Sequence, residues 1–206
     1  QRPEGLDVHA RIALDLGERG WSLCEDFLPP LLVSQLLSEA RELWQGGGFR
    51  PAGVGRGQKF EVRPEVRNDW VRWLDARACS GAQQLYLNAL EALRLALNRQ
   101  LYLGLFEYEG HLAVYRPGSY YRKHLDRFEG SGLRTLSCIL YLNSGWHYAD
   151  GGQLRIYTDP DNPERYREVL PFGGRLVCFY SDRFLHQVMP ARRSRFSITG
   201  WFKQRT

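Results

Sequence analysis

The chain has 206 residues, 43% of them hydrophobic and 25% charged, and this ordinary globular composition excludes a disordered chain, collagen and a coiled coil. No apolar run approaches the roughly 20 residues that a membrane-spanning helix needs, so we expect a soluble protein with no membrane partner. The formal net charge of +5 favours acidic partners, nucleic acid among them, but it also fits a mildly basic solvated surface. The four cysteines form no C-x-x-C pair, which indicates a reducing, cytoplasmic setting.

The first half of the chain predicts helices. Apolar residues recur at helical spacing over residues 6–16, and a short strand is expected at 21–27. Two prolines then open a helix that runs to Gln45, before three glycines. Residues 82–103 are rich in Leu and Ala with few helix breakers, and they predict the strongest helix of the chain.

From Phe106 onward the pattern changes to short strands, separated by Gly, Pro, Asn and Asp. Eight strands after a helical half predict an α+β fold, in which helices pack against a β-sandwich or jelly roll. The predicted strands cover residues 111–116, 119–126, 133–143, 153–158, 167–170, 175–181, 185–189 and 195–203.

The segment 46–60 is rich in glycine. It lacks the spacing of a phosphate-binding loop, and no strand-to-helix frame surrounds it. We therefore predict a mobile loop, which beside a binding site would serve as a lid or a substrate clamp.

Three residues carry the strongest chemical signal. His124 and Asp126 lie two residues apart in a predicted strand, so their side chains point the same way and can bind one ion. The tripeptide alone also fits a surface strand end. His186 follows 60 residues after Asp126 on another predicted strand. Two histidines and one carboxylate are the facial triad of non-haem Fe(II) oxygenases, so together they predict an iron site.

Arg195 follows nine residues after His186, on the last predicted strand. A guanidinium suits bidentate binding of a carboxylate, here the distal end of 2-oxoglutarate. Because strand side chains alternate, one face of this strand is predicted to be a pocket wall and the other a core. The first face holds Arg195, Ser197, Thr199 and Trp201, and the second holds Phe196, Ile198 and Phe202.

With these residues the sequence resembles the 2-oxoglutarate- and Fe(II)-dependent dioxygenases, specifically the prolyl hydroxylase domains that modify hypoxia-inducible factor and their bacterial counterparts. The resemblance covers roughly residues 21–203. It implies a double-stranded β-helix of about eight strands in a single catalytic domain over 1–206, with mostly helical support in 1–105 and the β-helix core in 106–203. Within the helical part it implies a mobile substrate-binding loop over 46–68, whose composition here is rich in glycine and arginine. The stretches that carry it are AVYRPGSYYRKHLDRF, GLRTLSCILYLNSGW, DGGQLRIY and FYSDRFLHQVMPARRSRFSITGWF.

The resemblance also implies roles for individual residues. For the aromatic ones, core packing is the alternative. The implied iron ligands are His124, Asp126 and His186; the implied 2-oxoglutarate pocket is Arg195, Tyr141, Tyr115, Thr199, Ile139 and Leu154; and the positions beside the substrate proline are Tyr121, Arg134 and Trp201.

The implied activity is that of a protein prolyl 4-hydroxylase, which couples the decarboxylation of 2-oxoglutarate to succinate and CO2 with hydroxylation of a prolyl residue. Dioxygen is then a co-substrate and ascorbate the reductant. The bacterial relatives suggest elongation factor Tu as the substrate of a monomeric, oxygen-sensing enzyme.

Three alternatives stay open: an oxygenase acting on another protein residue, one acting on alkylated nucleic acid, and a non-enzymatic jelly-roll binding module. The nine-residue spacing between His186 and Arg195 argues against a nucleic-acid demethylase. The presence of all three ligands argues against an idle module.

Overall fold

The structure, a computed structural model, describes residues 6–55, 61–126 and 134–205. Residues 56–60 of the predicted loop, and residue 133 at the start of a predicted strand, lie outside the described residues. No helix in the described chain is both long and apolar enough to cross a membrane.

Three α-helices occur in the described chain: α1 (Val8–Arg19), α2 (Pro30–Gln45) and α3 (Gly81–Leu101). The side chain of Asp7 caps α1 by accepting hydrogen bonds from two backbone N–H groups, and Ser80 caps α3 by accepting one. The three helices predicted from the sequence are confirmed, with ends displaced by a few residues.

The strands of the described chain form two antiparallel sheets that make a jelly roll. The strands are β1 (Trp21–Cys24), β2 (Arg50–Pro51), β3 (Trp70–Trp73), β4 (Leu105–Tyr115), β5 (Tyr121–His124), β6 (Arg134–Tyr141), β7 (Leu154–Tyr157), β8 (Tyr166–Val169), β9 (Leu176–Tyr180), β10 (His186–Val188) and β11 (Arg195–Gln204). The larger sheet has the order β1-β9-β6-β11-β4-β3-β2, and the smaller has the order β5-β10-β7-β8.

The larger sheet separates two hydrophobic cores. On one face Phe196, Ile198 and Phe202 pack with the helices. On the other face residues such as Tyr115 and Tyr141 pack against the smaller sheet. The alternation predicted for β11 is therefore confirmed, since its even-numbered apolar residues face the helices.

Several observed strands differ from the predicted ones. β3 is absent from the prediction, and it extends the larger sheet beside β4. β4 begins at Leu105 rather than at 111, because it pairs with β11 as far as Gln204. The strand predicted over 119–126 ends at His124, and Asp126 lies on the bend that follows. The described part of segment 46–68 is not wholly irregular, since β2 pairs with β3 and Val54 pairs with Glu61.

Candidate metal centre and carboxylate pocket

Strand pairing brings the two predicted histidine ligands together. His124 on β5 lies directly opposite His186 on β10. The bend after β5 places the Asp126 carboxylate beside both rings, with its oxygens 3.5 Å from His124 Nε2 and 3.6 Å from His186 Nε2. One ligand atom from each residue lies within 4.8 Å of the others, so a single ion can contact all three.

Backbone carbonyls orient both imidazoles toward this point. His124 Nδ1 lies 2.7 Å from the Arg122 carbonyl oxygen, and His186 Nδ1 lies 3.0 Å from that of Phe184. Because a carbonyl only accepts, each Nδ1 carries the proton and each Nε2 keeps its lone pair for a metal. Burial, together with the neighbouring His124, lowers the pKa of His186 to about 4, so this ring is neutral at neutral pH.

The Asp126 carboxylate is ionised and oriented. Burial alone would raise the pKa of this carboxyl, but His186, His124 and the hydrogen bond from Ser137 hold it well below its usual range. Ser137 Oγ lies 2.7 Å from Asp126 Oδ2 and 2.9 Å from Ser181 Oγ. Two imidazoles and one carboxylate are a donor set that suits Fe(II).

Arg67 and Asp69, which the sequence analysis does not single out, support the His124 ligand through Tyr121. The Tyr121 ring stacks on His124 at 3.5 Å, and the Arg67 guanidinium lies 4.2 Å from the Tyr121 ring centre. Arg67 in turn forms a 2.6 Å ion pair with the buried Asp69 carboxylate. The sequence signal that could have revealed this ion pair is an R-x-D motif directly before β3, but the sequence does not predict that strand.

Arg195 lies in a second polar site on the same side of the larger sheet. Its side chain is 1% exposed, and Nε donates to the Gly152 carbonyl oxygen at 2.9 Å. The guanidinium lies 4.8 Å and 5.0 Å from the ring centres of Tyr115 and Tyr141. No carboxylate among the described residues pairs with it. A buried cation without a counter-charge is costly, so this environment suits an anionic ligand.

Two further polar atoms are buried near Arg195 without a hydrogen-bond partner among the described residues: Tyr141 OH and Ser197 Oγ. Ser197 and Tyr141 lie opposite each other where β11 pairs with β6. A carboxylate at this point would accept hydrogen bonds from the hydroxyls and the guanidinium together. The site therefore fits the distal carboxylate of 2-oxoglutarate.

β6 connects the two sites. Ser137, Ile139 and Tyr141 alternate along one face of this strand, from the hydrogen bond with Asp126 to the surroundings of Arg195. Four residues of strand span about 13 Å. The structure thus places the predicted metal ligands and the predicted carboxylate site at two ends of one pocket wall.

The other residues implied by the resemblance lie on this wall or near it. Tyr115 lies opposite Arg195, Thr199 lies opposite Ile139, and Leu154 is buried between the sheets. The Arg134 guanidinium lies 3.4 Å from the ring centre of Trp201, which pairs across the strands with Ser137. Their individual roles stay predictions.

Comparison with known proteins decides the family. A family model described as the 2OG-Fe(II) oxygenase superfamily matches residues 110–203. A prolyl-4-hydroxylase of Pseudomonas putida has 42% sequence identity and a TM-score of 0.88, covering 96% of this chain and 100% of that one. The chain belongs to the prolyl hydroxylase family of 2-oxoglutarate- and Fe(II)-dependent oxygenases.

Other prolyl hydroxylases show the same relationship. A prolyl hydroxylase from Trichoplax adhaerens, solved with a peptide of hypoxia inducible factor, has 25% identity and a TM-score of 0.84, covering 96% of this chain and 89% of that one. Egl nine homolog 1 of Homo sapiens and the hypoxia-inducible factor prolyl hydroxylase of Caenorhabditis elegans are each 30% identical, over 91% and 97% of this chain. The chain spans only 44% and 28% of the length of these two relatives.

Membership of the prolyl hydroxylases confirms the predicted double-stranded β-helix. It also confirms Fe(II), 2-oxoglutarate and dioxygen as the cofactor and co-substrates of the family, whereas ascorbate stays a prediction.

Proposed function

We propose that this protein is a 2-oxoglutarate- and Fe(II)-dependent peptidyl-proline 4-hydroxylase. One observation carries the proposal. The His124, Asp126 and His186 cluster lies along one pocket wall with the buried Arg195, which pairs with no carboxylate of the described chain. The chain matches a prolyl-4-hydroxylase over nearly its whole length.

When bound, Fe(II), 2-oxoglutarate and dioxygen supply the oxidising chemistry, which yields succinate, CO2 and a hydroxylated proline. The chain would hold the iron through two imidazole Nε2 atoms and the Asp126 carboxylate. Arg195 and the Tyr141 hydroxyl would bind the distal carboxylate and fix the direction of the co-substrate. Apolar residues between the sheets, such as Ile139 and Leu154, exclude water from the pocket.

Aromatic side chains beside the candidate metal centre support a prolyl substrate. Tyr121 covers one side of the His124 ring, and Trp201 lies opposite Ser137, the residue that donates a hydrogen bond to Asp126. A proline ring is apolar and rigid, so it packs against aromatic rings without leaving a donor unsatisfied. Arg134, stacked on Trp201, would orient the neighbouring peptide backbone.

The substrate, the oxygen-sensing role, the reductant and the oligomeric state are proposed from the resemblance. The substrate would be a protein segment, with elongation factor Tu as the first candidate, and oxygen sensing would follow from the use of dioxygen as a co-substrate. A cytoplasmic setting agrees with the four free cysteines. Ascorbate as reductant and a monomeric enzyme complete the proposal.

The test is peptide-mapping mass spectrometry of elongation factor Tu after aerobic incubation with this protein, Fe(II) and 2-oxoglutarate. We expect one added oxygen atom on a proline and one succinate formed for each hydroxylation. Reactions without 2-oxoglutarate, and reactions with an Arg195→Met variant, serve as matched controls and should leave the proline unmodified.

Two results separate the levels of the proposal. Hydroxyproline in other lysate proteins but not in elongation factor Tu would discard that substrate and keep the enzyme class. Succinate formation with oxidation of an alkylated oligonucleotide, and of no proline, would replace the prolyl activity with the nucleic-acid alternative.

A further inference from the structure

Two buried serine hydroxyls form a chain of hydrogen bonds that ends on the Asp126 carboxylate. Ser137 lies on β6 and Ser181 lies directly after β9, and both side chains are fully buried. Ser137 Oγ lies 2.7 Å from Asp126 Oδ2 and 2.9 Å from Ser181 Oγ. We call these two residues the serine pair. Ser181 has no role in the proposed function.

The hydrogen-bonding capacity of the groups fixes the direction of this chain. The ionised Asp126 carboxylate only accepts, so the single proton of the Ser137 hydroxyl points toward it. Ser137 Oγ then has only lone pairs left for Ser181, whose hydroxyl is the donor of the second hydrogen bond. Hydrogen bonds in series polarise one another, so the proton from Ser181 makes Ser137 a stronger donor to the carboxylate.

Asp126 depends on side-chain contacts more than the two histidines do. His124 and His186 lie on paired strands, and a backbone carbonyl orients each ring. Asp126 instead lies on the bend that follows β5. Its carboxylate is tied to β6 in the larger sheet by the hydrogen bond from Ser137. Because such partners orient a metal ligand before the ion binds, the serine pair bears on the affinity for the metal.

Strand pairing holds the serine pair itself in place. β6 pairs with β9 in the larger sheet, where Ser137 lies opposite Phe179. At the end of β9 the backbone N–H of Ser181 donates to the Thr135 carbonyl oxygen at 3.1 Å. The paired strands therefore keep the Ser181 hydroxyl within reach of Ser137, although the two residues are 44 positions apart in the chain.

We propose that Ser181 is a positioning residue for the metal centre, which acts on the Asp126 carboxylate through Ser137. The proposal rests on the metal-binding role that the proposed function gives to Asp126. Ser181 forms no hydrogen bond with a candidate ligand in the described chain, so its influence has to pass through the Ser137 hydroxyl. Removing Ser137 should therefore weaken metal binding strongly, and removing Ser181 should weaken it less.

The test measures the affinity of the metal-free protein for Co(II), followed through the visible absorption of the bound ion, without 2-oxoglutarate or substrate. We expect Ser137→Ala to raise the Kd for Co(II) about 10- to 100-fold. Ser181→Ala should raise it about three- to tenfold, the effect of one neutral hydrogen bond. Ser181→Thr keeps the hydroxyl and should keep most of the affinity. Ser137→Ala and Ser181→Ala should also shift the absorption bands of bound Co(II), which a loss of stability alone would not do.

A double variant tests the route of the effect. If Ser181 acts through Ser137, the protein carrying both Ser137→Ala and Ser181→Ala should bind Co(II) as weakly as Ser137→Ala alone. A second full loss of affinity in the double variant would overturn the inference. A Ser181→Ala protein with the affinity and the spectrum of the wild type would overturn it as well.

Ser22→Ala is the matched control, because Ser22 is also buried and its hydroxyl donates to the Asp15 carboxylate at 3.0 Å. Ser22 lies opposite Cys178, in the helix-side core of the larger sheet, so its removal should leave Co(II) binding unchanged.

Urea unfolding of the metal-free proteins establishes which variants fold. If Ser137→Ala does not fold, the comparison of Ser181→Ala with Ser181→Thr still decides the role of Ser181. A wild type that binds no Co(II) would overturn the metal centre, and the proposed function with it. Tight binding by the wild type and by Ser181→Ala alike would overturn only the positioning role.

Discussion

The two faces of strand β11 differ in what they contribute. On the helix side, Phe196, Ile198 and Phe202 are buried in an apolar core. On the pocket side, Arg195 and Ser197 are equally buried, yet Arg195 presents a charge that no carboxylate in the described chain balances, and Ser197 presents a hydroxyl without a hydrogen-bond partner there. The first face stabilises the fold, whereas the second lowers stability until a ligand completes it. Substitutions on the helix side should therefore lower stability, whereas substitutions on the pocket side should lower activity without lowering stability.

The largest effect expected on the pocket side is the loss of the metal centre. Asp126→Ala removes the only carboxylate of the three candidate ligands, so we expect Fe(II) affinity and succinate formation to fall to background. The far-ultraviolet circular dichroism should stay that of the wild type, because Asp126 lies on a bend outside the strands. Metal removal with a chelator should reproduce the loss, and Fe(II) should reverse it.

His147→Ala is the control for this substitution, since His147 is an exposed histidine far along the chain from the three ligands. It should bind Fe(II) and consume 2-oxoglutarate as the wild type does. Full turnover by Asp126→Ala would show that the ligand assignment is wrong.

Arg195→Met tests the difference between the two faces most directly, because it should leave stability unchanged or higher while it weakens 2-oxoglutarate binding. The substitution removes a buried charge that no described residue balances, so without ligand the free energy of unfolding should stay equal or rise by about 1–4 kcal/mol. The KM for 2-oxoglutarate should rise at least about 30-fold, because breaking a buried charge pair costs roughly 2–5 kcal/mol and each 1.4 kcal/mol is tenfold in affinity. Urea unfolding and initial rates measure the two effects.

Arg183→Met is the matched control, because Arg183 also lies over a tyrosine ring but is exposed. It should change neither readout measurably. A destabilised Arg195→Met protein with an unaltered KM would mean that Arg195 supports the fold and not the co-substrate.

Local patterns explain why the sequence predicts some of these features and not others. The alternation along β11 is a property of ten consecutive residues, so both of its faces can be assigned from the sequence alone. The pairing of His124 with His186 depends on the register of two strands far apart in the chain, and spacing alone indicates only the ligand set. Resemblance supplies the roles of Tyr141 and Trp201, which periodicity cannot distinguish from core packing.

The residues that the sequence does not reveal depend on an element that it does not predict. β3 has only four residues, and it is held in the sheet by pairing with β4. Without it, Trp73 cannot be placed beside His111, and the ion pair between Arg67 and Asp69 cannot be connected to Tyr121. A strand this short carries too few residues for its alternation to be significant.

On the helix side, the expected effect is a loss of stability. Gly200 lies opposite Gly110 on β4, and a Cβ at position 200 would meet the ring of Tyr108 and a backbone oxygen of Glu109. Tyr108 cannot move away freely, since its hydroxyl is 2.7 Å from that of the buried Tyr86. We expect Gly200→Ala to lower the free energy of unfolding by about 3 kcal/mol, measured by urea denaturation.

Gly81→Ala is its control, because a Cβ at Gly81 would meet nothing within 4 Å. This change should be neutral or stabilise by up to about 1 kcal/mol, as expected in a helix. A Gly200→Ala protein as stable as the wild type would show that the helix-side core tolerates added volume. The helix-side face of β11 would then not be the closely packed face that stabilises the fold.

The smallest effect concerns His111, a buried titratable group on the pocket side. Its pKa is about 3 in the folded protein against 6.5 for an ordinary histidine, mainly because burial disfavours the charged ring. Above about pH 6.5 the ring is neutral in both states, so it contributes no pH dependence. Between these two values the unfolded chain binds a proton that the native chain excludes, and stability therefore falls as the pH falls.

One such proton changes the free energy of unfolding by about 1.4 kcal/mol per pH unit. Asp126 and His186 also titrate over acidic pH, so the contribution of His111 is obtained by difference. In chelated protein, His111→Gln should show a shallower decline of unfolding free energy than the wild type, by about 1 kcal/mol between pH 6 and pH 5. The slope isolates the charge, because a lost hydrogen bond or contact would shift stability equally at both pH values. Identical slopes would mean that His111 accepts a proton within the fold, so the ring that stacks on Trp73 and Trp201 would not stay neutral.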